Sequence, residues 1–133
     1  MSCKSALFAA MQTPTEVSAG GVIPLGSLIR RYGCDISLNG NAVNLTGTGY
    51  YDVDASITAT LTAAGTVTVT LYKDGVAVPG ATASETGTAD GTVNLNIPAL
   101  VRQACCAAGS ALTLVLTGAA ATVNNVALRV QRI

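Results

Sequence analysis

The sequence predicts an all-β fold, an antiparallel sandwich, and three observations carry that prediction. First, the stretch GTGYYDVDASITATL alternates with a period of two. Tyr51, Val53, Ala55, Ile57, Ala59 and Leu61 share one parity, and Tyr50, Asp52, Asp54, Ser56, Thr58 and Thr60 share the other. Successive side chains of a strand point to opposite faces, so this is a long strand with one dry face and one hydroxyl-rich face. Second, turn dipeptides such as Asn39-Gly40, Asp74-Gly75 and Pro79-Gly80 punctuate the chain at short intervals, as a sandwich of short strands requires. Third, no segment demands a helix. About eight or nine strands are expected.

Taken in order, SALFAAMQ (residues 5–12) reads as a first strand, followed by a loop through Pro14 and Gly20-Gly21. VIPLGSLIRR is a short edge piece, because Pro24 has no N–H to give to a ladder. ISLNGNAVNLT is a hairpin whose Asn39-Gly40 turn tolerates the positive φ of a tight primed turn. The long strand follows from about Tyr50, and TVTVTLY places Val67, Val69 and Leu71 inward. VAVPGATA carries Pro79-Gly80, the mark of an edge or a bulge, and SETGTADG reads as a polar loop. TVNLNIPALV alternates through Val93, Leu95, Ile97, Ala99 and Val101. Pro98 could open a helix in PALVRQACCAAG, but the alternation runs straight through it and favours a strand. ALTLVLT and NVALRVQRI complete the set, with Leu112, Leu114, Leu116, Val126, Leu128 and Val130 inward.

Composition bounds the function. The 133 residues suit one domain, 1–133, with the first strand and its loops in 1–33. Seven basic residues balance seven acidic ones, and charged residues make up only 11% of the chain, where about 25% is typical. Arg30-Arg31 is the sole adjacent basic pair, so nucleic-acid binding has no electrostatic footprint. No apolar run approaches the ~20 residues of a spanning helix, and the amino terminus lacks a signal-peptide core. Synthesis in a cytoplasm, with neither membrane nor nucleic acid as partner, is the expectation.

Reactive chemistry is sparse. The absence of histidine removes histidine triads and histidine-metal sites. Asp52 and Asp54 share a strand face about 7 Å apart, a spacing open to a calcium ion or a carboxylate pair, though a solvated strand face is the plainer reading. GTGYYD leads into a strand, so it is no phosphate loop. Asn44-Leu45-Thr46 matches a glycosylation sequon, which goes unused in a chain that stays in a cytoplasm. Cys3, Cys34, Cys105 and Cys106 fit no paired zinc spacing. Free thiols, a disulfide formed after release, and a four-thiolate zinc site all remain open, with thiols favoured by a reducing cytoplasm. No cofactor and no enzymatic activity are expected.

In their order and spacing, GTGYYDVDASIT, GTVTVTLYKDGVAVPGATA, ALTLVLTG and NNVALRVQRI resemble the tumour-necrosis-factor-like jelly roll. The resemblance is to its bacterial and phage branch, typified by the carboxy-terminal domain of the Bacillus exosporium collagen-like glycoprotein. Gly49-Tyr50-Tyr51 matches that branch's G-x-Y strand, and Asp74-Gly75 through Pro79-Gly80 its hairpin. The opening SALFAAMQTPTEVSAGGVIPLG extends the likeness to nearly the whole chain. The collagen-like stalk that often precedes such domains is not in this sequence. The resemblance implies an antiparallel jelly-roll sandwich that forms a homotrimer, one sheet of each subunit facing the three-fold axis. A trimer would explain how Thr- and Asn-rich strand faces carry so little charge, since neutral hydroxyls are buried at lower cost than ions. A strand buried on both faces within a monomer is the competing explanation.

Val115, apolar on the polar parity of its strand between Thr113 and Thr117, is the expected axis residue, with Tyr72 and Arg129 beside these three. Arg30 and Arg31 are the expected docking pair. The function expected is that of a phage virion protein assembled in the host cytoplasm, a trimeric capsid decoration or head-fibre component docked on a capsid shell protein. The alternatives are a receptor- or glycan-binding tail-fibre tip and a bacterial spore or cell-surface protein.

Overall fold

The dry parity of the long strand becomes the wall of a core. In β6 (Gly49–Leu61) the six alternate residues from Tyr51 to Leu61 are all sealed from solvent, none more than 1% exposed. The computed structural model describes residues 5–33, 35–103 and 109–133. Eleven strands form among them, where eight or nine were expected. The remaining strands are β1 (Ala6–Met11), β2 (Thr15–Val17), β3 (Ser27–Tyr32), β4 (Ile36–Asn39), β5 (Ala42–Leu45), β7 (Gly65–Lys73), β8 (Val76–Gly87), β9 (Thr92–Gln103), β10 (Ser110–Gly118) and β11 (Ala121–Arg132).

They make two antiparallel sheets. One has the order β3-β1-β11-β6-β9, with β2 also paired to β11, and the other the order β4-β5-β10-β7-β8. Consecutive strands repeatedly fall in different sheets, which is how a jelly roll winds two sheets around one core. Leu7, Ile57, Leu95, Val126 and Leu128 from the first sheet meet Val43, Val69, Leu71, Leu112 and Leu116 from the second in a single buried cluster. The inward residues expected on β6, β7, β10 and β11 are all buried, as are Val93, Leu95, Ile97 and Val101 of β9. Strand β9 runs unbroken through Pro98 to Gln103, so a helix is absent there. Cys3, Cys34, Cys105 and Cys106 lie outside the described residues, and with them the question of thiol, disulfide or zinc.

Four local expectations are corrected. Residues 15–17 pair with β11 instead of remaining in the loop. The segment expected as one edge piece from Val22 divides: Ile23 and Leu25 plug the core, and only Ser27–Tyr32 is strand. Of the polar stretch expected as a loop over residues 84–91, the first four residues are the end of β8 and only 88–91 are loop. The hydroxyls of β8 bond across the ladder, Thr66 to Thr86 at 2.8 Å, Thr68 to Ser84 at 2.8 Å and Thr70 to Thr82 at 2.6 Å. A sequence without apolar alternation can thus hold a strand, because cross-strand hydroxyl pairs take the place of a dry face. The expected hairpin forms, but one residue later: Asn39 pairs with Ala42, so the turn is Gly40-Asn41, and only Gly40 takes a positive φ, 62°. Strand β8 is an edge, and the register breaks opposite Pro79-Gly80, between Thr70 and Tyr72.

The first sheet's end at residue 132 is tied to the second sheet. Arg132 forms an ion pair with Asp35, just ahead of β4, and donates to the Thr48 carbonyl. Tyr51, fully buried beneath, donates to the Gly47 carbonyl at 2.6 Å. Burial, and next the Asp35 carboxylate, push the Tyr51 hydroxyl above its ordinary pKa of 10.0.

Candidate assembly surface

Register determines what each sheet shows to the outside. Across β3, β1, β11, β6 and β9, one outward row reads Tyr32, Ala6, Gln131, Asp52 and Leu100. The next reads Arg30, Phe8, Arg129, Asp54 and Pro98, and the third Ser27, Ala10, Ala127, Ser56 and Asn96. Phe8, Tyr32 and Leu100 stand exposed among alanine, serine and charged side chains. At its centre Arg129 reaches Asp52 at 3.6 Å and Asp54 at 3.4 Å, all three half exposed. The two carboxylates thus hold a guanidinium in place of the cation or acid–base role left open by their spacing. A cleft of about 430 Å³ lies between Phe8, Arg30, Tyr32 and Arg129, and a second of about 270 Å³ runs from Phe8 across Ala127 to Asn96.

The other sheet's outer face differs in kind. Its rows are Thr117, Thr68 and Ser84, then Val115, Thr70 and Thr82, then Thr113, Tyr72 and Ala77. Hydroxyls already bonded in pairs cover most of it. Val115 has a neighbour within its own chain: Val22 forms a bridge to it, and Ile23 and Leu116 donate backbone bonds to Leu114 and Gly21. Val115 is half-buried beside Val22. Cross-strand apolar pairs of this sort stabilise a sheet locally, so an apolar residue on the polar parity has a reason inside the subunit.

The five residues expected at a trimer axis therefore divide between two surfaces. Thr113, Val115, Thr117 and Tyr72 are on the five-stranded sheet, Arg129 on the six-stranded one, and the two outer faces point in opposite directions. Arg30 and Arg31 sit on β3, an edge strand exposed at all six positions. The sequence reading missed Phe8 and Leu100, although the signal was present: each is a large apolar side chain on its strand's outward parity. Asp74, in a cleft of about 330 Å³ with Asn44 and Ser110, accepts from the Ala111 N–H at 2.9 Å. That bond, then one from Ser110, holds its carboxyl below the usual carboxylate range. Among the described residues no three His, Cys, Asp or Glu side chains gather as a metal would need, and no helix is long and apolar enough to cross a membrane.

This strand order and the division into two sheets define a tumour-necrosis-factor-like jelly roll. No protein-family model matches the chain, and no curated protein matches it in sequence. Solved structures do match in fold. Murine APRIL superposes with a TM-score of 0.71 at 14% identity, covering 98% of this chain and 99% of its own. Eiger TNF from S. frugiperda gives 0.70 at 13% identity, covering 100% and 94%. The PRD1 vertex protein P5 gives 0.64 at 14% identity, covering 100% and 99%. Identities this low establish the fold alone.

Proposed function

We propose that the protein is a non-enzymatic structural component of a phage particle, a homotrimeric capsid decoration or head-fibre protein located on the virion. The observation that carries the reading is the outer face of the six-stranded sheet. Its exposed Phe8 and Tyr32 at one side, and Leu100 with Pro98 at the other, put large apolar side chains on both flanks of the paired Arg129, Asp52 and Asp54, surface of the kind that association covers. Turned toward a three-fold axis, that face is covered by two further copies. Arg129 is then the one expected axis residue on the interface, and the hydroxyl ladders of β7, β8 and β10 face solvent. Full-length coverage of a phage vertex protein supports a particle role. A symmetric trimer suits a three-fold position on a shell, where three weak contacts add through effective concentration.

Docking on a capsid shell protein falls to residues 1–33, whose loops and edge strand lie beside the regular sheets. The expected outcome is that purified protein rebinds shells from which it has been removed, and that replacing the exposed Thr13, Glu16 and Ala19 by lysine weakens rebinding while β2 and the trimer persist. Finding the protein on tail tips and never on heads would overturn the decoration reading. It would favour a receptor- or glycan-binding tip, for which the hydroxyl face with Tyr72 beside Thr113 is the surface to test.

A further inference from the structure

Strand β3 is an edge left in an unusual condition. All six of its residues are exposed, Leu28 at 44%, Ile29 at 55% and Tyr32 at 60%. One side pairs with β1, and among the described residues the other side has no strand partner. Within about 20 Å such an edge offers unpaired N–H and C=O groups on either side of a bulge at Ile29. The other edges are better protected. Strand β8 is interrupted by Pro79-Gly80, β9 carries Pro98 and packs against β8, and β4 has only four residues.

The register places the charges. Arg30 stands opposite outward-facing Phe8, and Arg31 opposite inward-facing Leu7, with Ile29 the extra residue of a bulge between Arg30 and Leu28. The two guanidiniums therefore project to opposite faces of the strand. Neither has a carboxylate within ion-pair distance among the described residues. Arg31 donates to the Ile36 carbonyl at 2.6 Å, which fixes its position and leaves its charge uncompensated. A second copy of β3 is a poor occupant, because antiparallel pairing would crowd four guanidiniums about the two-fold axis.

We propose that β3 is a strand-addition site for an extended acidic segment of a partner protein, one that sets adjacent carboxylates against Arg30 and Arg31. Backbone bonds to the open edge supply affinity, and side-chain pairs supply choice of partner. One carboxylate reaches each face, and a neighbouring apolar side chain packs on Leu28, on the face turned away from Phe8. The proposal deepens the docking role of residues 1–33, and rests on that reading only for the source of the segment.

The test is selection of a displayed library of random ten-residue peptides on the purified protein. Enriched peptides should carry an acidic pair beside an apolar residue, and a synthetic copy should slow amide exchange across residues 27–32 but not across β8. Arg30→Glu with Arg31→Glu should weaken that peptide roughly tenfold or more, and N-methylation along the peptide backbone should abolish binding. Should the charge-reversed protein misfold, Arg30→Gln with Arg31→Gln and the salt dependence of binding read the same term. No enrichment, enrichment of basic or uncharged peptides, or protection elsewhere overturns the proposal. The experiment needs no virion. Peptides that bind β3 while shells fail to rebind defeat the particle reading alone, and shells that rebind a charge-reversed β3 defeat the strand-addition site alone.

Discussion

Replacing Leu100 by aspartate separates the two faces that could build a trimer. Leu100 keeps 58% of its surface exposed on the outer face of β9. Burying a leucine fully is worth about 1.5–3 kcal/mol, so the exposed part leaves roughly 1–2 kcal/mol per subunit and about 3–5 kcal/mol per trimer to be gained by association. Losing that much weakens assembly by about two to four powers of ten. Three carboxylates brought out of water near one axis add a desolvation penalty in the same direction. Native mass spectrometry at low micromolar concentration should therefore show wild-type trimer and Leu100→Asp monomer. Val115→Asp is the internal comparison. It disturbs the Val22 bridge on the opposite face, so its unfolding temperature should fall while its mass remains that of a trimer. A trimeric Leu100→Asp alongside a monomeric Val115→Asp would refute the assignment of the six-stranded sheet to the axis. A monomeric wild type would refute the trimer itself.

Two further outcomes test the fold. Ile57→Ala, in register with Val126 and Leu95 at the centre of its sheet, should cost about 3–5 kcal/mol in urea unfolding. The adjacent Thr58→Ala, which loses an exposed bond from Asn94, should cost under about 1 kcal/mol; equal costs would contradict the alternation. Tyr51 is neutral in the fold and its pKa is raised, so its contribution is complete below pH 10 and is lost as pH rises through the folded value. Tyr51→Phe should lower stability by about 1–2 kcal/mol at neutral pH and flatten the alkaline limb of a stability–pH profile; an unchanged limb would mean that another group governs it.

What could be read from the sequence was whatever a single strand decides alone. Strands β6, β9 and β10 each bury one parity, and β11 does so on either side of its bulge after Val123, so their inward residues and even the passage through Pro98 were visible without knowing a partner. The end of β8 was not, because its order comes from Thr66, Thr68 and Thr70 on another strand. The surface obeys the same rule. Val115 stood out on the polar parity of its strand, but Val22, which bridges to it, is far away in sequence and adjacent only after folding. Arg129 shows the converse: its hold on Asp52 and Asp54 exists only because β11 lies against β6 in one register. Phe8 and Leu100 carried the same wrong-parity signal as Val115 and became meaningful once the rows across five strands could be laid out.

The hydroxyl rungs of β7 and β8 bear on durability. Threonine and serine side chains neither gain nor lose a proton over the range in which carboxylates and imidazoles change sign. A surface built from Thr66–Thr86, Thr68–Ser84 and Thr70–Thr82 consequently offers water the same donors and acceptors in acid and at neutrality. Charged coats lose their mutual repulsion when ions screen them or when pH reaches their isoelectric point. The rungs take no part in the balance that sets this chain's isoelectric point at about 6.0, so this face holds its water through hydroxyls alone even where the rest of the surface has lost its net charge.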